Sequence, residues 1–160
     1  MHSFISFLSI VLFVFFTDLA SVRSGFATAH TNKTNAEAFF KQSSDLKDDS
    51  ISALAYKAAG KMIQSKFETD RKNKKEYFKS GALALNALID KNTNHVEARF
   101  VRLVIQQNTP AILKYNSNIN DDKKVVLAGF ATADLDVKKA IRNYVASSKK
   151  FSKQEVNNLK

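Results

Sequence analysis

The chain has 160 residues, 44% of them hydrophobic, with 13 phenylalanines, four glycines, one proline and neither cysteine nor tryptophan. That composition describes one helix-rich globular domain, and the missing cysteine excludes disulfides, thiolate zinc sites, cysteine nucleophiles and the lipid-bearing cysteine of a bacterial lipoprotein. Lys and Arg outnumber Asp and Glu by 25 to 15, a net charge of +10 that suits anionic partners such as acidic glycans, phospholipid headgroups or nucleic acid.

The first element is the uncharged run from Phe4 to Phe16, followed by polar residues and Ala27-Thr28-Ala29. It has the form of a signal-peptide apolar region with an A-x-A cleavage site, so residues 1–29 are expected to be a signal peptide and the protein to be exported to the periplasm or beyond. Cleavage nearer Ser21 and an uncleaved membrane anchor are the alternatives. As a helix the run reaches only about 20 Å, short of the roughly 30 Å hydrocarbon core, which favours a cleaved signal over a spanning anchor. The 131 residues from His30 onward suffice to bury roughly 65% of their unfolded surface without staples.

Residues 30–49 are expected to form a flexible N-terminal segment with a short helix from Ala36 to Leu46. A single helical domain then occupies 50–160. Asp48, Asp49 or Ser50 caps a helix in which Ile51, Leu54, Ala55, Ala58, Ala59, Met62, Ile63 and Phe67 recur at i, i+3, i+4, i+7. Asn73 is the expected cap of Lys74 to Lys91, which turns Tyr77, Gly81, Ala82, Leu85, Leu88 and Ile89 inward. Val96 to Gln107 forms a third long helix with Val96, Phe100, Leu103 and Val104 on one face, and Pro110 stops it. Shorter helices are expected at Ala111 to Tyr115, Asp121 to Gly129, Leu135 to Ser147 and Ser152 to Leu159. No stretch alternates at period two, so no sheet is expected and the fold class is all-α.

Two resemblances follow from spacing. Tyr56-x2-Ala59-Gly60-x2-Ile63 occupies the places of the tetratricopeptide W-x2-L-G-x2-Y signature, and Gly81-x3-Leu85-x2-Leu88 echoes its partner helix. Small residues such as Ala58, Ala59 and Gly60 admit a second helix at close range. The implied architecture is tetratricopeptide-like helical hairpins extended by shorter C-terminal helices. More specifically, Glu97, Arg99, Phe100, Arg102 and Leu103, then Gln106, Asn108, Pro110, Leu113 and Tyr115, then Asp122 and Lys123 match a pattern E-x-R-F-x-R-L, Q-x-N-x-P-x-x-L-x-Y, D-K. With "LAYKAAGKM" and "ALNALID" before it, the chain from Ser50 to Leu127 resembles a family of small exported helical proteins from bacteria related to flavobacteria. That family implies a fold and a compartment, and no activity.

The candidate ligand site comes from two polar stripes. Arg99, Arg102 and Gln106 lie at i, i+3, i+7, and Lys57, Lys61 and Gln64 form a similar stripe on the first long helix. Converging, they would make a basic groove for an extended peptide or a carboxylate terminus. The structural alternative pairs Arg99 and Arg102 with Glu97, Asp121 or Asp122, and has them reach Tyr115. A second basic feature is the cluster Lys72, Lys74, Lys75 and Lys79. No aromatic residue interleaves it, which disfavours nucleic acid.

The remaining residues offer little chemistry. His2, His30 and His95 have no metal-ligand spacing, Asp121-Asp122 and Asp134-x-Asp136 read as helix caps, and no Ser or Thr has a histidine base. No cofactor, metal or catalytic set is expected. The leading expectation is an exported helical module for a protein or peptide partner. The second is a basic peripheral binder of anionic envelope components.

Overall fold

The computed structural model describes residues 18–159, and the apolar run from Phe4 to Phe16 lies outside them. The chain forms eight α-helices among the described residues: α1 (Leu19–Phe26), α2 (Lys33–Asp45), α3 (Ile51–Phe67), α4 (Arg71–Lys91), α5 (Val96–Asn108), α6 (Ile119–Gly129), α7 (Leu135–Ser147) and α8 (Lys153–Asn157). Single 3-10 turns at Ala111–Leu113 and Phe130–Thr132 flank α6. No described residue is in a strand, and no described helix is long and apolar enough to cross a membrane.

Helix starts follow their side chains. Ser50 caps α3 by accepting from the Ala53 amide, one of the three expected caps. Asp70 caps α4 by accepting from the Asn73 amide at 2.8 Å, so that helix begins before the expected Asn73. His95 Nδ1 accepts from the Ala98 amide at the head of α5. At α8, Ser152 and Glu155 complete a capping box. The expected helix from Ala111 to Tyr115 is only a single turn, because Lys114 is left-handed at φ 51° and reverses the chain.

Helix α3 is the centre of the fold. Ser52, Ala53, Ala55, Tyr56, Ala58, Ala59, Gly60, Met62, Ile63, Gln64 and Ser65 are all buried, so it is covered on nearly every side by α1, α2, α4 and α5. Two glycines set the approach distances. A Cβ on Gly81 of α4 would lie 2.6 Å from the Ala58 carbonyl oxygen and 2.6 Å from Met62 Cγ. A Cβ on Gly60 would collide with Ser43 Oγ of α2. Gly60 therefore admits α2, whereas the α4 approach expected of it rests on Gly81 and the small Ala58 beneath it.

The described N-terminal residues are helical and packed. The short helix expected from Ala36 to Leu46 is present as α2, which starts three residues earlier at Lys33 and is packed into the domain, with Phe39 1% exposed. Residues 19–29, expected to fall within the signal peptide, form α1 and the turn after it, with Val22, Phe26 and Ala29 all buried. Phe26 meets Tyr56 and Phe39 with ring centroids 5.3 and 5.6 Å apart. At the other end, the Arg142 guanidinium donates to the Leu159 carbonyl at 2.7 Å and stacks over Phe130, tying α8 down.

Candidate functional site

Helix α5 carries charge of both signs into the interior: its arginines meet the buried carboxylate of Asp122, and its own Glu97 is a second buried carboxylate. The Asp122 carboxylate on α6 is fully buried and accepts four hydrogen bonds from α5. Arg102 gives two of them, Nε at 2.8 Å and Nη2 at 2.7 Å, Arg99 Nη1 one at 2.8 Å, and Gln106 Nε2 one at 2.8 Å. The spacing i, i+3, i+7 thus brings Arg99, Arg102 and Gln106 together on one anion inside the protein. Asp122 does not cap α6 as expected, because its side chain points into the core. Burial opposes the charge on Arg102, but hydrogen bonding and attraction to Asp122 raise its pKa further.

The network extends outward. Arg102 Nη1 and the Tyr115 hydroxyl both donate to Asn86 Oδ1, at 3.1 and 3.0 Å, and burial pushes Tyr115 up to about 12. Gln106 Oε1 accepts from the Asn118 amide at 3.0 Å. The segment after Pro110 is thereby tied to α4 at Tyr115 and to α5 at Asn118, and Arg102 meets Tyr115 only through the shared Asn86 oxygen.

Glu97 is the second buried carboxylate, and its partners differ from those expected. Arg23 of α1 grips it with Nε at 2.6 Å and Nη2 at 2.8 Å, while the hydroxyls of Tyr56 and Ser52 donate to it. Burial alone would raise the Glu97 carboxyl, but the hydrogen bonds from Arg23, Ser52 and Tyr56 hold it below the usual carboxylate range. Burial and the neighbouring Glu97 push the Tyr56 hydroxyl well up.

The other expected stripe lies elsewhere. Lys57 Nζ donates to the Asp48 carbonyl at 3.0 Å and to Asp49 at 3.2 Å, Lys61 is exposed, and Gln64 is buried with its amide on Glu68 at 2.8 Å. Lys57 and Lys61 border a shallow groove between α3 and α4 with Leu54, Leu88 and Lys91, and none of Arg99, Arg102 and Gln106 lines it. The six residues do not form one groove.

A different site emerges at the head of α4. Arg71, Lys74, Lys75, Phe78 and Lys79 recur at i, i+3, i+4, i+7, i+8, which places four cations and one ring on a single face. That face, with Lys66 of α3, borders a cavity of about 650 Å³, within the range of small-molecule sites. Phe26, Met62, Ile63, Val104 and Ile105 line it from α1, α3 and α5, and Pro110 and Leu113 from the segment after α5. Among the described residues, no carboxylate lines it. Among the described residues, none of Arg71, Lys74, Lys75 and Lys79 has a carboxylate oxygen within 4.0 Å. Lys72 of the expected basic cluster lies off this face. The signal for the site was in the sequence as helical spacing within "RKNKKEYFK", but the apolar residues come from three other elements.

His30 sits between this cavity and a second one of about 510 Å³ bounded by α1, α5 and α7, lining both. Burial first and the Lys66 charge second lower its pKa. Among the described residues no three His, Asp or Glu side chains are grouped to hold a metal ion. Comparison with family models, curated proteins and solved structures finds no match.

Proposed function

We propose that this chain is a binding module for an anionic amphiphile of the cell envelope, taken with its apolar chain in the cleft under α4 and its acidic head at the rim. The observation that carries this reading is the cleft itself: five cations, Lys66, Arg71, Lys74, Lys75 and Lys79, around a lining rich in apolar side chains and, among the described residues, without a carboxylate. Apolar burial supplies affinity at about 0.8 kcal/mol per CH₂, and the uncompensated cations select a negative head. The peptide groove expected from Lys57, Lys61, Gln64, Arg99, Arg102 and Gln106 is less well supported, since Arg102 and Gln106 are buried and already bonded to Asp122. Export, tetratricopeptide-like packing of the α3–α4 hairpin and kinship with the exported helical family belong to the same proposal. Their supports are the Phe4–Phe16 run, the Gly81 approach and the E-x-R-F-x-R-L pattern.

The test is equilibrium binding of dodecanoate and of dodecanol to the full chain and to a Lys74→Glu/Lys75→Glu variant. The carboxylate is expected to bind at least tenfold tighter than the alcohol, about 1.4 kcal/mol, and the variant to lose that margin. Equal binding of acid and alcohol would remove the charged rim from the reading. Tighter binding of an acidic peptide than of dodecanoate would return the partner to the protein class.

A further inference from the structure

The A-x-A sequence at Ala27 to Ala29 sits inside the folded domain. Helix α1 has its own start, with Asp18 accepting from the Ser21 amide at 2.7 Å, only two positions beyond the last residue of the apolar run. From there it supplies the core. Val22 and Ala29 are completely buried, and Phe26 packs its ring against Tyr56, Phe39 and Phe100. Arg23 provides the only guanidinium on Glu97 among the described residues, a carboxylate that is 4% exposed. Residues 27–31 close as turns, the Thr31 amide donating to the Thr28 carbonyl at 3.0 Å, and Lys66 Nζ holds the His30 carbonyl at 3.1 Å.

We infer that α1 belongs to the finished protein and that any leader is removed N-terminal to Leu19, at the junction of the apolar run with Asp18, and not after Ala29. Signal peptidases act on the unfolded, translocating chain, so packing does not shield the A-x-A sequence from the enzyme. What the packing constrains is the stability of the product. A chain starting at His30 would keep Glu97 buried with two hydroxyl donors and no cation, and a buried carboxylate deprived of its charged partner is strongly destabilising. It would also open the three-ring contact of Phe26 and remove one wall of the cleft. A chain starting at Thr17, Asp18 or Leu19 loses none of these. The inference is independent of what the cleft binds.

Intact mass and amino-terminal sequencing of the full chain, expressed in an exporting bacterium and recovered from the envelope and medium, test it. The expected terminus lies at or before Leu19, whether Met1 is kept or the run is removed. A terminus between Ala20 and His30 overturns the inference. Ala27 is exposed, so Ala27→Asp destroys the A-x-A sequence without touching the core, and the recovered mass should change only by the substitution itself. Accumulation of an unprocessed form in that variant alone would overturn the inference as well. Arg23→Ala should lower the melting temperature of the recovered protein by several degrees, with Arg23→Lys partly restoring it. An unchanged melting temperature would show that α1 is dispensable.

Discussion

Two helix faces in this protein carry cations at the same kind of spacing, and only one is spent on the fold. On α5, the half-buried Arg99 and the buried Arg102 share the Asp122 carboxylate inside the molecule. On α4, Arg71, Lys74, Lys75 and Lys79 line a cleft to which no described residue brings a carboxylate. Helical spacing puts charges on one face in both cases. What separates a structural stripe from an open one is whether the facing element brings an anion, and for α5 that anion arrives 20 residues later in the chain. The comparison also explains residue choice: the interior face uses arginine, whose planar fork meets a carboxylate with two hydrogen bonds, and the open face is mostly lysine, a hydrated point charge.

The comparison can be broken most severely at Arg102. Arg102→Glu places a second carboxylate against Asp122, and the loss of stability should be about 3–5 kcal/mol, as for other broken buried pairs. Denaturant melts would read it, with Lys139→Glu, on an exposed side chain, as the charge-matched control expected to change little. An Arg102→Glu protein as stable as the control would mean that the interior face is not structural.

Acid tests the second buried carboxylate. Glu97 has a lowered folded-state pKa, so its contribution to stability is fully present above the unfolded value of about 4.3 and is lost as pH falls through the lower folded one. The wild-type melting temperature should therefore fall more steeply below pH 4.3 than that of Glu97→Gln. Parallel acid profiles for the two proteins would detach Glu97 from acid unfolding.

A smaller effect is expected at the outer end of the Asp122 network. Tyr115→Phe removes one hydrogen bond to Asn86 and should cost about 1 kcal/mol, measurable by thermal melting. At the open face the effect on folding should nearly vanish: Lys75→Glu should change stability by no more than about 0.5 kcal/mol while weakening dodecanoate binding severalfold. A large stability loss there would move the α4 cations into the structural class.

Much of the helical layout was legible in the sequence. Apolar spacing located α3, α4 and α5 to within a few residues, and it placed Leu103, which is fully buried, on the core side. Asp122 was among the anions expected for Arg99 and Arg102. Helix α1 was hidden because a strong apolar run precedes it and an A-x-A sequence follows it, so local pattern assigned it to a leader. Its partnership with Glu97 spans 74 residues, a distance over which neither periodicity nor spacing carries information. The all-round burial of α3 was equally hidden, because Ser52, Gln64 and Ser65 make one side look polar. The basic face of α4 was visible as charge, but the cleft depends on Met62, Ile63, Val104 and Ile105 meeting in space.

The chain between α5 and α6 is held unevenly. Thr109 Oγ1 bonds back to the Ile105 carbonyl at 2.7 Å and Tyr115 is pinned to Asn86 and Phe78, while between them Ile112 stands 86% exposed and Leu113 49% exposed. Loop motions on the nanosecond-to-microsecond scale are thus bounded at both ends of the five residues Pro110 to Lys114, of which Pro110 and Leu113 line the cleft. In the proposed binding role, a ligand entering the cleft would pass a piece of chain that bonds to neither buried carboxylate.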